Sequence, residues 1–364
     1  MQKIIITAPS LEPTRNVSGV SSVVSFIIEN NRKCEYLHFQ LGKTDGEKGG
    51  WHRIGIIVSA LRTWKRMLDE HSDAIVHYSF PLSAPSILRD PLFMCEVLKR
   101  GMKMIVHVHG GQFLTAPKTP FVLWKILLMV FSWKVPFIVL SEREKRILQN
   151  RFGARNVQIL PNCVELNDAK KFERKIGEAP LILGYLGRIE SNKGMTELLG
   201  ACIKLKKEGI PFKLVLAGKE KIADEYLPHF AQWLGDDFHY VGIVSGKMKA
   251  DFLKSVDVFV MPTYFEGLPM SLLECMSYGC VPVVTNVGSI GDVVMSYNSR
   301  NVSEEANGIF VMIRDEDSIV DAVNLLHKDR VLVQRLSEAA KRYIFCQFSS
   351  ERYIKALNDI YANC

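Results

Sequence analysis

No C-x-x-C pair and no metal-like cysteine spacing occur in the 364 residues of this chain. Its eight cysteines are scattered at positions 34, 95, 163, 202, 275, 280, 346 and 364, which speaks against a zinc site and reads as reduced, mostly packed thiols in a cytosolic compartment. G-x-G-x-x-G is missing as well, and Gly42-Lys43-Thr44 and Gly246-Lys247 lack the earlier glycine of a P-loop, so neither a dinucleotide enzyme nor an ATPase has support. No tandem repeat or low-complexity segment interrupts the chain. The apolar run nearest to a membrane span, Phe121 to Leu140, contains Lys125, Lys134 and Pro136, and a helix followed by a buried strand explains it better. Met1 to Ala8 is too short an apolar run for a signal peptide and is expected to form a first strand.

The length exceeds the size at which one hydrophobic core keeps growing, so two domains are expected. A hydrophobic content of 48% with 23% charged residues describes a soluble globular protein. Charge is uneven: residues 1–160 carry 22 Lys and Arg against 12 Asp and Glu, net +10, and the remainder carries 24 against 27, net −3. A basic first half attracts anionic surfaces, and two readings stand: simple solubility, or peripheral binding to an anionic membrane. No nucleic-acid partner is expected.

Apolar strand-like runs alternate with helical patterns. The strands are predicted at Ile4–Thr7, Tyr36–Phe39, Ala74–Tyr78, Met104–His107, Phe137–Leu140 and Val157–Leu160. Pro161-Asn162 ends this series, the polar stretch 163–180 is the expected link, and a second series follows at Leu181–Leu186, Phe212–Ala217, Phe238–Val241, Val258–Met261, Val281–Thr285 and Ile309–Met312. This alternation predicts an α/β protein of two doubly wound domains with parallel sheets, facing one another across a cleft, with ligands at the strand C-terminal ends. Near the end of the chain Tyr353, Ile354, Leu357, Ile360 and Tyr361 form a helical face that must pack on something.

The stretch from Met261 to Thr285 carries most of the chemistry. It reads strand, loop, short helix, strand, with Pro269 in the first helical turn and Gly279 just past the end. The N–H groups at that helix start, with the positive end of its dipole, suit a phosphate. Glu266 and Glu274 flank it, either as solvated helix-end charges or as acceptors for the hydroxyls of a sugar nucleotide. A second turn, Gly187-Arg188-Ile-Glu-Ser-Asn-Lys193-Gly194, offers two cations and two glycines between a strand and a helix, and reads as a diphosphate clamp or as a solvated loop. His107 and His109 lie on the same side of one strand, a geometry that permits metal binding, but no third ligand is evident. Asp315-Glu-Asp317 precedes the apolar pattern Ile319, Val320, Val323 and is read as a helix cap, so no metal is predicted.

Glu266 and Glu274, with seven residues between them and Gly-Leu-Pro after the first, resemble the E-x7-E signature of the retaining family-4 glycosyltransferases of GT-B fold. The turn from Gly187 to Gly194 resembles the G-R-x(4)-K-G element of the same family, and the likeness, which covers nearly the whole chain, is strongest from 184 to 292. By that resemblance Arg188 and Lys193 neutralise a donor diphosphate, Glu274 holds the ribose hydroxyls, and Glu266 holds the hydroxyls of the donor sugar. Gly267, Leu268, Pro269, Met270 and Ser271 line the donor's phosphate, Val244 in the turn 242–245 lies where the family holds the base, and His109 takes the family's histidine-before-glycine position. Gly19 resembles the second glycine of the family's Gly-Gly turn, which lets main-chain N–H groups approach the donor's distal phosphate at a helix start, and whose first glycine is replaced here by Ser18.

The resemblance implies an acceptor-side domain at 1–165, joined by a final helix at 349–364 that packs back on it, and a donor-binding domain at 166–348. It implies a retaining, metal-independent hexosyltransferase with no cofactor, using a nucleotide sugar, most readily UDP-linked, and a glycan or lipid-linked acceptor in surface polysaccharide assembly. The expected location is the cytoplasm, with peripheral attachment to the inner face of the plasma membrane as the alternative. A sugar-nucleotide epimerase of the same architecture and an inactive partner subunit stay open as other readings.

Overall fold

Apolar runs such as Ile4-Ile5-Ile6 and Ile105-Val106 have β-branched residues on both sides of the chain, which suits strands covered on both faces. Twelve strands form among the described residues, which in this computed structural model are 1–12, 18–42, 52–115, 118–298 and 305–364, with backbone alone at 52–54, 112 and 115. The first six are β1 Gln2–Ala8, β2 Cys34–Gln40, β3 Ile75–Phe80, β4 Met104–Val108, β5 Phe137–Val139 and β6 Val157–Ile159. They pair in parallel in the order β2-β1-β3-β4-β5-β6. The second six are β7 Leu181–Leu186, β8 Phe212–Ala217, β9 Phe238–Gly242, β10 Val258–Met261, β11 Val281–Thr285 and β12 Ile309–Val311, again parallel, in the order β12-β11-β10-β7-β8-β9. Parallel neighbours need crossover connections, and helices supply them. This is the GT-B class of fold, two doubly wound α/β units in one chain.

One unit comprises Met1–Asn162 with Glu351–Cys364, and the other Cys163–Ser350. The first is centred on fully buried Trp64, Tyr78, Phe80, Phe93, Phe131 and Phe137. Trp64 is accommodated there because its indole N–H donates to the Phe93 carbonyl at 2.9 Å. Phe121–Phe131 is a helix and Phe137–Val139 a buried strand. No helix among the described residues is long and apolar enough to cross a membrane. The last helix, Ser350–Ala362, buries Tyr353, Leu357, Ile360 and Tyr361 within this unit.

The polar stretch after Asn162 is tied down, although its sequence has no regular period. Arg174 is buried, donates to the carbonyls of Tyr278 at 3.2 Å and Leu253 at 2.8 Å, and pairs with Asp257 at 3.2 Å. A buried guanidinium requires such a set of acceptors. Asp315 is a helix cap, accepting from the N–H groups of Asp317 at 3.0 Å and Ser318 at 3.2 Å at the start of Glu316–Lys328.

Candidate functional site

In the second unit the strand order reverses beside β7, whose two neighbours are β10 and β8. Loops leaving adjacent strands there run in opposite directions, which opens a crevice at their C-terminal ends. The loops that leave β7 and β10 are 187–194 and 262–269, the two stretches with the densest motif content. Hydrogen bonds join them. The Tyr264 N–H donates to the Asn192 carbonyl at 3.0 Å and the Thr263 hydroxyl to the same carbonyl at 3.4 Å, while the Tyr185 hydroxyl of β7 holds the first loop by donating to the Arg188 carbonyl at 2.6 Å. Gly194 sits at φ +76°, and a β-carbon there would lie 2.1 Å from the Pro262 carbonyl oxygen, so only glycine permits this approach.

This stitching brings Lys193 onto Glu266. The ammonium and Glu266 Oε1 form a hydrogen-bonded ion pair, with the two side chains 21% and 18% exposed. Glu274 is paired as well, with the Lys249 ammonium at 2.7 Å. Lys249 belongs to the helix Gly246–Ser255, immediately after the turn that holds Val244. Both carboxylates are therefore charged partners of lysines that a polyanion can draw away.

The helix Met270–Ser277 begins at the capping residue Pro269, which has no side-chain acceptor to offer. Its first intrahelical bond runs from the Leu273 N–H to the Pro269 carbonyl at 3.4 Å, leaving the N–H groups of Met270, Ser271 and Leu272 without an acceptor within the helix. Leu268 is buried and anchors the turn, whereas Met270, Ser271 and Gly267 keep partial exposure. The helix stops where Gly279 takes φ +74°, donating to the Met276 carbonyl, while Cys280 donates to that of Cys275.

A third loop, after β11, was not singled out by the sequence motifs. Thr285 donates to the Thr263 carbonyl at 2.6 Å, and the Ser289 N–H to the Gly267 carbonyl at 2.9 Å. Gly288, at φ +56°, lies so close that a β-carbon would come 1.9 Å from the Glu266 carbonyl oxygen. These contacts hold the backbone that presents Glu266. The only signal in the sequence is a small-residue run, Val287-Gly288-Ser289, after a strand.

His109 and Gly19 belong to the first unit. Gly19 opens the helix Gly19–Asn30, is exposed, and has nothing within 4 Å of a β-carbon position, while residues 13–17 of the same loop lie outside the described residues. His109 follows β4 with its ring stacked on His107, centroids 4.0 Å apart, and its Nε2 is enclosed without a hydrogen-bond partner. Burial pushes the His109 imidazole down from the ordinary 6.5 to about 3, so it is neutral at neutral pH. His107 is fully buried in β4 and hydrogen-bonded to His77 at 3.0 Å, so it packs within the strand.

Residues 167–343 match the family model described as Glycosyl transferases group 1. A glycogen synthase of Marinobacter nauticus is 29% identical over 163 residues, 44% of this chain and 33% of that protein. The UDP-Gal:alpha-D-GlcNAc-diphosphoundecaprenol alpha-1,3-galactosyltransferase of Escherichia coli is 24% identical over 290 residues, 72% of this chain and 69% of that one. Against the first curated relatives the matched stretch spans between a third and a half of their length. Among solved structures, HepE of Anabaena in complex with UDP-glucose superposes at a TM-score of 0.75 with 12% identity, covering 100% of both chains.

Proposed function

The chain belongs to the glycosyl transferases group 1, and from that premise we propose that it transfers a hexose from a UDP-linked donor to a glycan or lipid-linked acceptor, with retention of anomeric configuration and without a metal. The observation that carries this reading is the ion pair between Lys193 and Glu266, a cation for a diphosphate and an acceptor for sugar hydroxyls joined at the switch point of a parallel sheet. Donor binding in the unit 163–350 engages Arg188, Lys193 and the N–H groups of Met270 and Ser271 with the diphosphate. Gly267, Leu268 and Pro269 shape that turn, Val244 meets the base and Glu274 the ribose. Glu266, released by Lys193, takes the hydroxyls of the donor sugar. Gly19 and neutral His109 act from the first unit, His109 toward the sugar and acceptor.

Charge building on the leaving diphosphate is met by preorganised cations and helix N–H groups, the largest source of rate in reactions of this type. The departing phosphate helps take the acceptor's proton on the same face, so no covalent nucleophile is called for.

A lipid-linked acceptor fits the surface of the first unit. Phe121 and Val122 are 72% and 60% exposed beside Lys118 and Lys125, whose ammonium lies 5.4 Å from the Phe121 ring centroid, and Leu88 and Leu92 of the neighbouring helix Ala84–Lys99 are also exposed. Apolar side chains among lysines suit the headgroup region of an anionic membrane. The location that follows is the cytoplasmic face of the plasma membrane, in surface polysaccharide assembly. The relative named for a diphosphoundecaprenol acceptor supports the same direction.

The test is a panel of nucleotide sugars screened for thermal stabilisation, followed by turnover of the stabilising donor in labelled form. Release of UDP with transfer or slow hydrolysis supports the reading. Label that stays nucleotide-linked in an isomerised sugar identifies an epimerase, and the absence of stabilisation by every nucleotide identifies an inactive partner.

A further inference from the structure

Within the first unit a column of polar side chains crosses an otherwise apolar core and ends at His109. It begins at Asn31, just past the helix Gly19–Asn30, where the Lys33 backbone N–H and the Asn358 amide donate to Asn31 Oδ1 at 3.3 and 3.2 Å. That orientation makes Asn31 Nδ2 the donor to Asn358 Oδ1 at 2.9 Å and to the Tyr36 hydroxyl at 2.8 Å. Tyr36 adjoins Tyr361 of the last helix. The Tyr361 hydroxyl lies 2.6 Å from His77 Nδ1, and His77 Nε2 lies 3.0 Å from His107 Nδ1. The His107 ring is stacked on that of His109 with 28° between their planes.

A neutral imidazole has one donor nitrogen and one acceptor nitrogen, so this column admits two proton orders that run in opposite directions. Tyr361 donates to His77 and places the protons of His77 and His107 on Nε2, or the sequence reverses and places both on Nδ1. In either order the two histidines share one tautomer. Burial pushes all three histidines down, His77 and His109 to about 3, so none is a cation at neutral pH. His77, His107, Tyr36 and Tyr361 are buried or nearly so, yet a hydrophobic side chain at any of these positions would meet the same packing demand without a column of hydrogen bonds.

We propose that Tyr361, His77 and His107 are positioning residues for His109, fixing the plane of its ring and tying it to the last helix of the chain. This rests on the assignment of His109 to the sugar and acceptor side of the reaction. The last helix is then part of the site's architecture: Tyr361 holds His77, His77 holds His107 in one tautomer, and His107 presents a flat face of constant orientation to His109. Positioning of this kind acts on turnover, because a misaligned group near the reacting atoms costs rate out of proportion to its displacement. It is expected to leave donor affinity nearly unchanged, because Tyr361, His77 and His107 are not among the proposed donor-binding residues, most of which are in the unit 163–350.

The experiment compares His107→Leu, His107→Phe and Tyr361→Phe in the full chain, with UDP-glucose and UDP-galactose as probe donors. The expected result is a fall in kcat of about tenfold or more for His107→Leu, recovery to within about threefold for His107→Phe, which restores a flat ring, and a several-fold loss for Tyr361→Phe. The donor KM and the UDP-induced melting shift are expected to stay within about twofold throughout. A His107→Leu enzyme with undiminished kcat, or a His107→Phe enzyme no better than it, overturns the proposal. His109→Ala separates the two assignments: undiminished turnover refutes the role of His109 itself, whereas lost turnover alongside a fully active His107→Leu refutes the column alone. Nitrogen-15 NMR of the unmutated protein provides a measurement independent of folding defects and of the donor. One shared tautomer for His77 and His107, with no protonation between pH 8 and 5, is expected, and different tautomers or titration near the ordinary histidine value overturn the proposal.

Discussion

Replacing Lys193 by alanine tests the donor site most directly, because the expected loss of activity exceeds the expected loss of stability. In the unliganded protein the ammonium is committed to Glu266 in a pair whose side chains are about one-fifth exposed. An ion pair of that exposure contributes no more than about 1 kcal/mol to folding. With a diphosphate bound, the same ammonium makes charge-assisted hydrogen bonds to a leaving group that gains charge as the sugar departs. Each such bond is worth about 1.5–3 kcal/mol. Lys193→Ala should therefore lower kcat/KM by ten- to a hundredfold, about 1.4–2.8 kcal/mol, with a melting temperature close to wild type. Initial rates of UDP release over a range of donor concentrations measure it. The companion Glu266→Gln frees Lys193 for phosphate, and should lower kcat while leaving the donor KM unchanged or reduced. The double variant is expected to lose less than the sum of the two singles, since each removes a partner of the other. A Lys193→Ala rate within twofold of wild type would falsify the clamp.

The remaining predictions concern the scaffold and the surface. Gly288→Ala should destabilise by at least about 1–2 kcal/mol for a left-handed residue with a β-carbon, and should weaken donor stabilisation further by displacing the Glu266 carbonyl; thermal melting with and without donor reads both. The buried histidines make stability acid-sensitive: their folded pKa values lie below the unfolded 6.5, so the unfolded chain binds more protons as pH falls. Their contribution is constant above that value and is lost below it, down to about 3, at about 1.4 kcal/mol per pH unit for each ring, and His77→Phe should flatten the denaturation midpoint against pH accordingly. Phe121→Ser combined with Val122→Ser should weaken sedimentation with anionic liposomes at low salt by about tenfold or more, and equal binding of wild type and variant would remove these residues from a membrane face.

Much of this architecture is legible locally. Apolar runs mark all twelve strands to within a residue or two: the central strands, covered on both faces, leave near-continuous and often β-branched stretches, while the edge strands β2 and β9 are marked by aromatic residues on a more exposed chain. The differences lie at the ends: Ala74 stays outside β3, its N–H donating to the His71 carbonyl at 3.0 Å, and β12 stops at Val311, before the exposed Met312. Strand ends are decided by hydrogen-bond competition that composition does not encode. The helix after Pro269 and its stop at Gly279 are legible for the opposite reason, since capping is a property of a few consecutive residues.

Partnerships across the sequence are another matter. The chain alone determines that there are two α/β units, that Glu266 and Glu274 flank a helix start, and that Arg188, Lys193 and the glycines around them form a turn, since each of these depends on neighbours in sequence. Only the tertiary structure decides that Lys193 holds Glu266, that Lys249 holds Glu274, that Gly288 and Ser289 clamp the Glu266 loop, and that Tyr361 reaches His77 across 284 positions. Such contacts are set by strand order and by the crossings of helices over a sheet, and a side chain carries no mark of the distant one it will meet.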